Sequence, residues 1–211
     1  MQKYLDLKTN SDFEKLRQPA EIIKKGGIVI FPTETVYGIG TNGFNGKSIR
    51  KIYEIKKRDF NKPISLLVSN MEMVKMVAED ISELEYELMK KFWPGPLTII
   101  LKKKKEVPDI LTANGDTVGV RMPSGEVVRK LLEYAGVPIA APSANISGKP
   151  SGTNIDDIKK DFDEKVDFII DNGISELGIA STIIKVVDNI PHILRQGSIT
   201  EEEIKKLINK Y

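Results

Sequence analysis

Residues 28–43 run Ile28-Val29-Ile30-Phe31-Pro32-Thr33-Glu34-Thr35-Val36-Tyr37-Gly38-Ile39-Gly40-Thr41-Asn42-Gly43. Two readings of this stretch lead to different folds. Gly38, Gly40 and Gly43 have the spacing of the G-x-G-x-x-G dinucleotide fingerprint, which would make the chain a Rossmann domain. That motif needs a strand running directly into its first glycine. Here the apolar run Ile28–Phe31, which reads as a strand buried on both faces, is ended by Pro32. Polar Thr33, Glu34 and Thr35 then separate it from Gly38. Asp59 lies near the distance of a ribose-binding acid but is embedded in a Lys/Arg cluster. The fingerprint fails its context test. The stretch is read instead as a buried strand feeding a rigid, hydroxyl-bearing loop bracketed by Pro32 and Gly38.

Outward from this strand, Phe13, Leu16, Ala20, Ile22 and Ile23 form a helical stripe, with a Ser11/Glu14 capping box before it and Gly26-Gly27 after it. Helices are predicted over about 47–57, 71–78, 82–92, 126–135 and 154–162, the third opened by a Ser82/Glu85 box. A last amphipathic helix, with Ile204, Leu207 and Ile208, follows a Thr200/Glu203 box. Strands are predicted at 64–68, 97–101, 117–121, 138–141, 166–170, 181–187 and 191–194. Helices and strands mix without strict alternation, and no linker, repeat or low-complexity segment interrupts them. The expected fold is therefore α/β, one domain over 1–211 with a mixed twisted sheet and flanking helices.

Composition removes whole classes of chemistry. The 211 residues include no cysteine and a single histidine, His192. Disulfides, a thiol nucleophile and thiolate zinc sites are excluded, and a reducing cytoplasm is the expected setting. A lone His192 beside Pro191 is read as an ordinary surface residue rather than as part of a triad or a metal site. Lys and Arg number 32 against 30 Asp and Glu, a net charge of +2 that argues against broad nucleic-acid binding. Lys102 to Lys105 is read as a solvated strand end or turn, and no apolar stretch is long enough to span a bilayer.

If the protein is an enzyme, its chemistry runs on cations, amides and hydroxyls, and four segments set these at strand ends, where α/β sheets bind ligands. The Thr33–Tyr37 loop carries hydroxyls that suit a small polar ligand or, equally, a turn. Lys56-Lys57-Arg58 continues to Lys62-Pro63. A helix dipole accounts for Lys56 and Lys57 but not for Arg58 and Lys62, which would suit a polyphosphate. Alternation along 117–121 puts Thr117, Gly119 and Arg121 on one face, a carboxylate or phosphate clamp with room for ligand at Gly119. Residues 140–153 supply Ala141, Ser143, Asn145, Ser151 and other small or hydroxyl side chains. Ser181-Thr182 and Arg195-Gln196-Gly197-Ser198 repeat the theme. Neither Gly46-Lys47-Ser48 nor Gly148-Lys149-Pro150 completes a Walker loop, because Thr41 and Ser143 stand where its first glycine belongs. From the residues alone, the reading stops at an anion-binding α/β enzyme.

Taken in order, these segments closely resemble the YrdC family of threonylcarbamoyl-AMP synthases. The matching stretches are 32–38, Lys56-Lys57-Arg58 with Lys62-Pro63, 93–98 (Trp-Pro-Gly-Pro-Leu-Thr), 120–123, 142–148, 181–183 and 194–199. The resemblance implies a YrdC-like domain with its core at about 12–199, acting on L-threonine, bicarbonate and ATP. The products would be threonylcarbamoyl-AMP and pyrophosphate, with Mg²⁺ held through the phosphates and no metal ligands from the protein. Partner transferases would then modify adenosine 37 of tRNA, with weak tRNA contact by this chain compatible. Carried over by position, Thr33, Arg121 and Ser181 would hold threonine. Arg58, Lys62, Thr117, Ala141, Ser143, Ser151 and Arg195 would bind ATP, and Lys56, Arg58, Ser143 and Asn145 match the signature quartet assigned to catalysis. Leu67 departs from relatives that carry a histidine there. Some relatives also carry an extra C-terminal domain, which is not expected in these 211 residues. The alternatives are an RNA-binding module using the cations of 50–62 and the carbamoyl-adenylate step of hydrogenase maturation.

Overall fold

The computed structural model describes residues 3–8 and 12–208. The first half of the chain forms β1 (Tyr4–Asp6), α1 (Arg17–Lys24), β2 (Val29–Phe31), β3 (Gly38–Asn42), α2 (Gly46–Lys56), β4 (Leu66–Leu67), α3 (Met71–Val77), β5 (Ala78–Glu79) and α4 (Glu83–Phe92). The second half forms β6 (Leu97–Lys103), β7 (Thr117–Arg121), α5 (Glu126–Ala135), β8 (Ile139–Ala140), α6 (Ile155–Phe162), β9 (Phe168–Asp171), β10 (Thr182–Val187), β11 (Ile190–Arg195) and α7 (Glu201–Ile208). The strands make one mixed sheet in the order β1-β9-β2-β3-β8-β4-β7-β6-β10-β11, with β5 paired to β6.

As its apolar run predicts, β2 is wholly buried, held parallel to β9 and antiparallel to β3. The sheet is covered on both faces. On one, Leu16 in the turn before α1, Ala20 and Ile23 of α1, and Val128 and Leu131 of α5 pack against Val29, Phe31 and Ile139. On the other, Ile49, Ile52 and Tyr53 of α2, Val74 of α3, Leu88 of α4 and Ile158 of α6 cover Ile30, Ile39, Leu66 and Ile99. Both later capping boxes form: Ser82 N donates to Glu85 Oε2 at 2.7 Å, and Thr200 N to Glu203 Oε2 at 2.8 Å. Ser11, and with it the first box, lies outside the described residues, as do the side chains of Leu207 and Ile208.

Three strands have no counterpart in the sequence reading. The Gly38–Asn42 segment is β3, a central strand. Its two glycines make room for Phe31 across the antiparallel pair, since a Cβ on Gly40 would come within 2.7 Å of the Phe31 ring and of Ile139. The G-x-G spacing is thus a packing requirement. At the far edge, β1 is three residues long and has only Leu5 buried, too little to show periodicity. The helix expected to reach Ala78 ends at Val77, because Ala78 turns extended and pairs with Lys103. The lysine run follows from this, with Lys102 and Lys103 completing β6 and meeting Asp80 and Asp109.

Candidate active site

A cleft opens where β4, β6, β7 and β10 meet the loops after β2 and β8. Its wall includes Thr33, Arg58, Arg121, Ala141, Ser143, Ser151, Ser181 and Arg195, eight of the twelve residues singled out from the sequence. Lys56 and Asn145 stand directly behind it. Lys62 and Thr117 are not part of the wall: Lys62 is exposed, and Thr117 begins β7, opposite Lys102, while Arg121 ends it. Among the described residues, His192 is exposed on β11 and no group of three or more His, Cys, Asp or Glu could hold a metal ion.

The loop after β2 is held by its own hydroxyls. Thr33 Oγ1 donates to Val36 O at 2.6 Å and accepts from the backbone N–H of Thr35 and Val36, so Thr33 both shapes the turn and faces the cleft. Tyr37, fully buried, donates its hydroxyl to Gly173 O at 2.8 Å and accepts from Asn172 N. Across from it, the loop after β8 is tied down by Ile39 N donating to Pro142 O and Ala144 N to Tyr37 O.

Arg58 reaches the cleft because α2 stops at Lys57 in the left-handed conformation, φ 51°, and Arg58 N closes the turn on Tyr53 O at 2.8 Å. Its guanidinium donates to Lys62 O at 3.0 Å and Pro63 O at 2.8 Å. The contribution of Lys62 is thus a carbonyl. Arg195 donates to Ser181 O at 2.7 Å and Ser181 Oγ at 3.2 Å, and Ser181 Oγ pairs in turn with Thr98 Oγ1 at 2.8 Å. Arg121 is buried and spends its nitrogens on Glu34 Oε1 at 2.5 Å, Thr35 Oγ1 at 2.9 Å and Gly95 O at 3.2 Å.

Lys56 is 1% exposed. Its ammonium donates to Ser143 O at 2.6 Å, to Asn145 O and, at 3.5 Å, to Asn145 Oδ1, fixing the loop on which Ser143 lines the cleft. The quartet is thereby one unit: Lys56 and Asn145 hold the loop, with Ser143 Oγ donating to Asn145 Oδ1 at 2.5 Å, while Arg58 and Ser143 line the cleft.

These cations disfavour one another. Burial lowers the pKa of Arg58, Arg121 and Arg195, and the charges of Arg121 and Arg58 lower Arg195 further. Burial, then the nearby Arg58 charge, pushes Lys56 from its ordinary 10.5 down to about 7. Only Arg121 has a carboxylate within ion-pair reach among the described residues. The charge excess of the cleft is the kind that suits an anionic ligand.

The Lys56 shift has a consequence for stability. With the folded value below the unfolded one, the unfolded chain binds more protons between pH 7 and 10.5, so folding strengthens as pH rises through that window. Urea unfolding at pH 7 and 9 is expected to show the wild type gaining up to about 2 kcal/mol relative to Lys56→Met. A difference that does not change with pH would mean that the loop carbonyls keep the ammonium charged throughout.

Sequence reasoning missed Thr98 and Ser65 in the wall and Glu34 behind it as partners of Ser181, Gly119 and Arg121. Gly119, expected to leave room for a ligand, is not part of the wall; a Cβ there would lie 2.7 Å from Ser65 Oγ and 3.3 Å from the Ile100 and Thr98 side chains, so its lack of a side chain accommodates protein neighbours. Only Glu34 had a sequence signal, an acid between threonines after a buried strand.

Comparison with known proteins gives the family. The Sua5/YciO/YrdC family model, described as telomere recombination, matches residues 21–197. A threonylcarbamoyl-AMP synthase of Pyrococcus abyssi is 43% identical over 196 residues, and one of Bacillus subtilis is 40% identical over 207. The alignments cover 93% and 96% of this chain, which spans 58% of the length of each relative. The crystal structure of P. abyssi Sua5 complexed with L-threonine superposes with a TM-score of 0.94 at 41% identity, covering 97% of this chain and 60% of that one. The matched region contains the whole cleft wall, and the chain belongs to the Sua5/YciO/YrdC family.

Proposed function

We propose that this chain is a threonylcarbamoyl-AMP synthase, condensing L-threonine, bicarbonate and ATP with release of pyrophosphate. The observation that carries the reading is the convergence of Arg58, Arg121 and Arg195 on one cleft in which only Arg121 is paired with a carboxylate. Two kinds of anion fit the two kinds of arginine. Arg121, neutralised by Glu34 and flanked by Thr33 and Thr35, suits the single carboxylate of threonine, with Ser181 closing that end. Arg58 and Arg195, with the hydroxyls of Ser143 and Ser151 and the small side chain of Ala141, suit the phosphates and ribose of ATP. Lys62 and Thr117 are not among the proposed contacts.

The threonine amine and bicarbonate form a carbamate with loss of water. A carbamate oxygen then attacks the α-phosphorus, forming one P–O bond while the bond to pyrophosphate breaks. That reaction requires alignment and charge neutralisation rather than a strong nucleophile. Arg58 and Arg195 are placed to meet charge developing on the phosphates, and Lys56 keeps the Ser143 loop in place while it does so. Mg²⁺ would be carried by phosphate oxygens and spread charge between them. The labile product would pass to transferase partners that modify tRNA in the cytoplasm. The described residues include no helix long and apolar enough to cross a membrane.

Incubating the purified protein with ATP, bicarbonate and threonine is expected to release pyrophosphate only when threonine is present. Threonine-independent release, or none, overturns the reading; salt-sensitive RNA binding without turnover would favour an RNA-binding module instead.

A further inference from the structure

Glu34 and Asp171 are the two buried acids among the described residues. Asp171 is shared among Tyr4, Lys8 and the Tyr37 hydroxyl and touches none of the cleft arginines, whereas Glu34 meets Arg121 directly, and no part of the proposed reaction uses it. Glu34 is absent from the cleft wall, while the groups it contacts or adjoins, Arg121 and Thr35, belong to it. Any effect of Glu34 on a ligand therefore passes through the guanidinium.

A guanidinium has five N–H donors. Here one goes to Glu34 Oε1, one to Thr35 Oγ1 and one to Gly95 O, which leaves one N–H on each terminal nitrogen. That remainder matches a single carboxylate taken through both oxygens. The carboxylate of Glu34 is itself anchored. Its Oε2 accepts from Gly125 N at 3.4 Å, and Gly125 packs so tightly that a Cβ there would lie 3.2 Å from Glu34 N.

We infer that Glu34 is a positioning residue for amino-acid recognition, holding Arg121 so that its two remaining N–H groups face the substrate carboxylate and not the phosphates. The inference rests on the synthase reading above. Its physical basis is the proximity of the other two guanidiniums. A buried arginine without a counter-charge turns toward the nearest anion, and in this cleft that anion would be the nucleotide gathered by Arg58 and Arg195. Glu34 occupies the Arg121 charge from behind and so divides one cationic cleft into a carboxylate end and a phosphate end.

The test is steady-state pyrophosphate release by Glu34→Asp and Glu34→Gln, with melting curves for each. Glu34→Asp keeps the buried charge but shortens its reach by one methylene. In both variants the threonine KM is expected to rise about tenfold or more, as for a binding group misplaced by about 1 Å, while kcat and the ATP KM stay within about threefold. If Glu34→Gln fails to fold because Arg121 is left unpaired, Glu34→Asp alone decides. A folded Glu34→Asp protein with a wild-type threonine KM, or one that loses ATP and threonine affinity alike, overturns the inference. Failure of both variants to fold also overturns it, making Glu34 a structural residue. A wild-type chain with no threonine-dependent release is a distinct result, and it removes the synthase reading along with this one.

Discussion

Arg58→Ala is expected to lower threonine-dependent pyrophosphate release by roughly 10³-fold, the scale of losing one preorganised charge-stabilising donor, with the fold intact. The side chain donates to the carbonyls of Lys62 and Pro63, both in exposed residues where water can replace it, and also meets the Tyr53 hydroxyl, which keeps Lys62 O and Ile110 O as its own partners. Its loss removes one of the two guanidiniums in the cleft that have no carboxylate partner. It also relieves Lys56, whose depressed pKa is due in part to the Arg58 charge and should rise in the variant. Melting curves and a pyrophosphate assay on the same preparation check both halves. Wild-type turnover in a folded Arg58→Ala protein would take Arg58 out of the site.

Gly197→Ala is the second large effect, and it acts through packing. A Cβ at this position would lie 2.2 Å from Ala180 O and 2.4 Å from both Ser181 C and Thr182 N, all backbone atoms with no side chain to swing away. The Gly197–Ile199 turn is bound to the start of β10 by the buried Thr182 hydroxyl, which accepts from Gly197 N and Ile199 N at 3.0 Å and donates to Ile199 O at 2.7 Å. Overpacking against rigid backbone is expected to cost about 3 kcal/mol and to lower Tm by roughly 6–12 °C in a domain of this size. Because Ser181 and Arg195 flank the contact, activity should fall even well below Tm. An unchanged Tm would show that the 180–182 segment moves aside freely.

Continuous or periodic apolar runs gave β2, β7, α2 and α5 almost to the residue, because such runs depend on neighbours within one element. Strand ends bearing Arg121, Ser181 and Arg195 were legible for the same reason. Gly38–Asn42 was not. Its glycines are required by the ring of Phe31 and by Ile139, and a strand with so few large side chains carries little periodic signal. Lys56 and Lys57 look alike as the basic end of a helix. One is an exposed left-handed cap, and the other is a buried post beneath the Ser143 loop.

By itself the sequence determined the class of chemistry. With no cysteine and a single histidine, thiol chemistry and His-based triads were removed, and the cations, amides and hydroxyls placed after buried strands marked a candidate ligand site. The tertiary structure alone decided how those groups divide the work. The Glu34–Arg121 pair joins residues 87 positions apart, and the Thr98–Ser181 pair joins residues 83 apart. Lys56 meets Ser143 across 87. Such contacts arise from sheet order and loop closure, which no local pattern encodes. For the stretch that began at Ile28, the sequence could place Glu34 after a buried strand, but only the folded sheet set it behind Arg121.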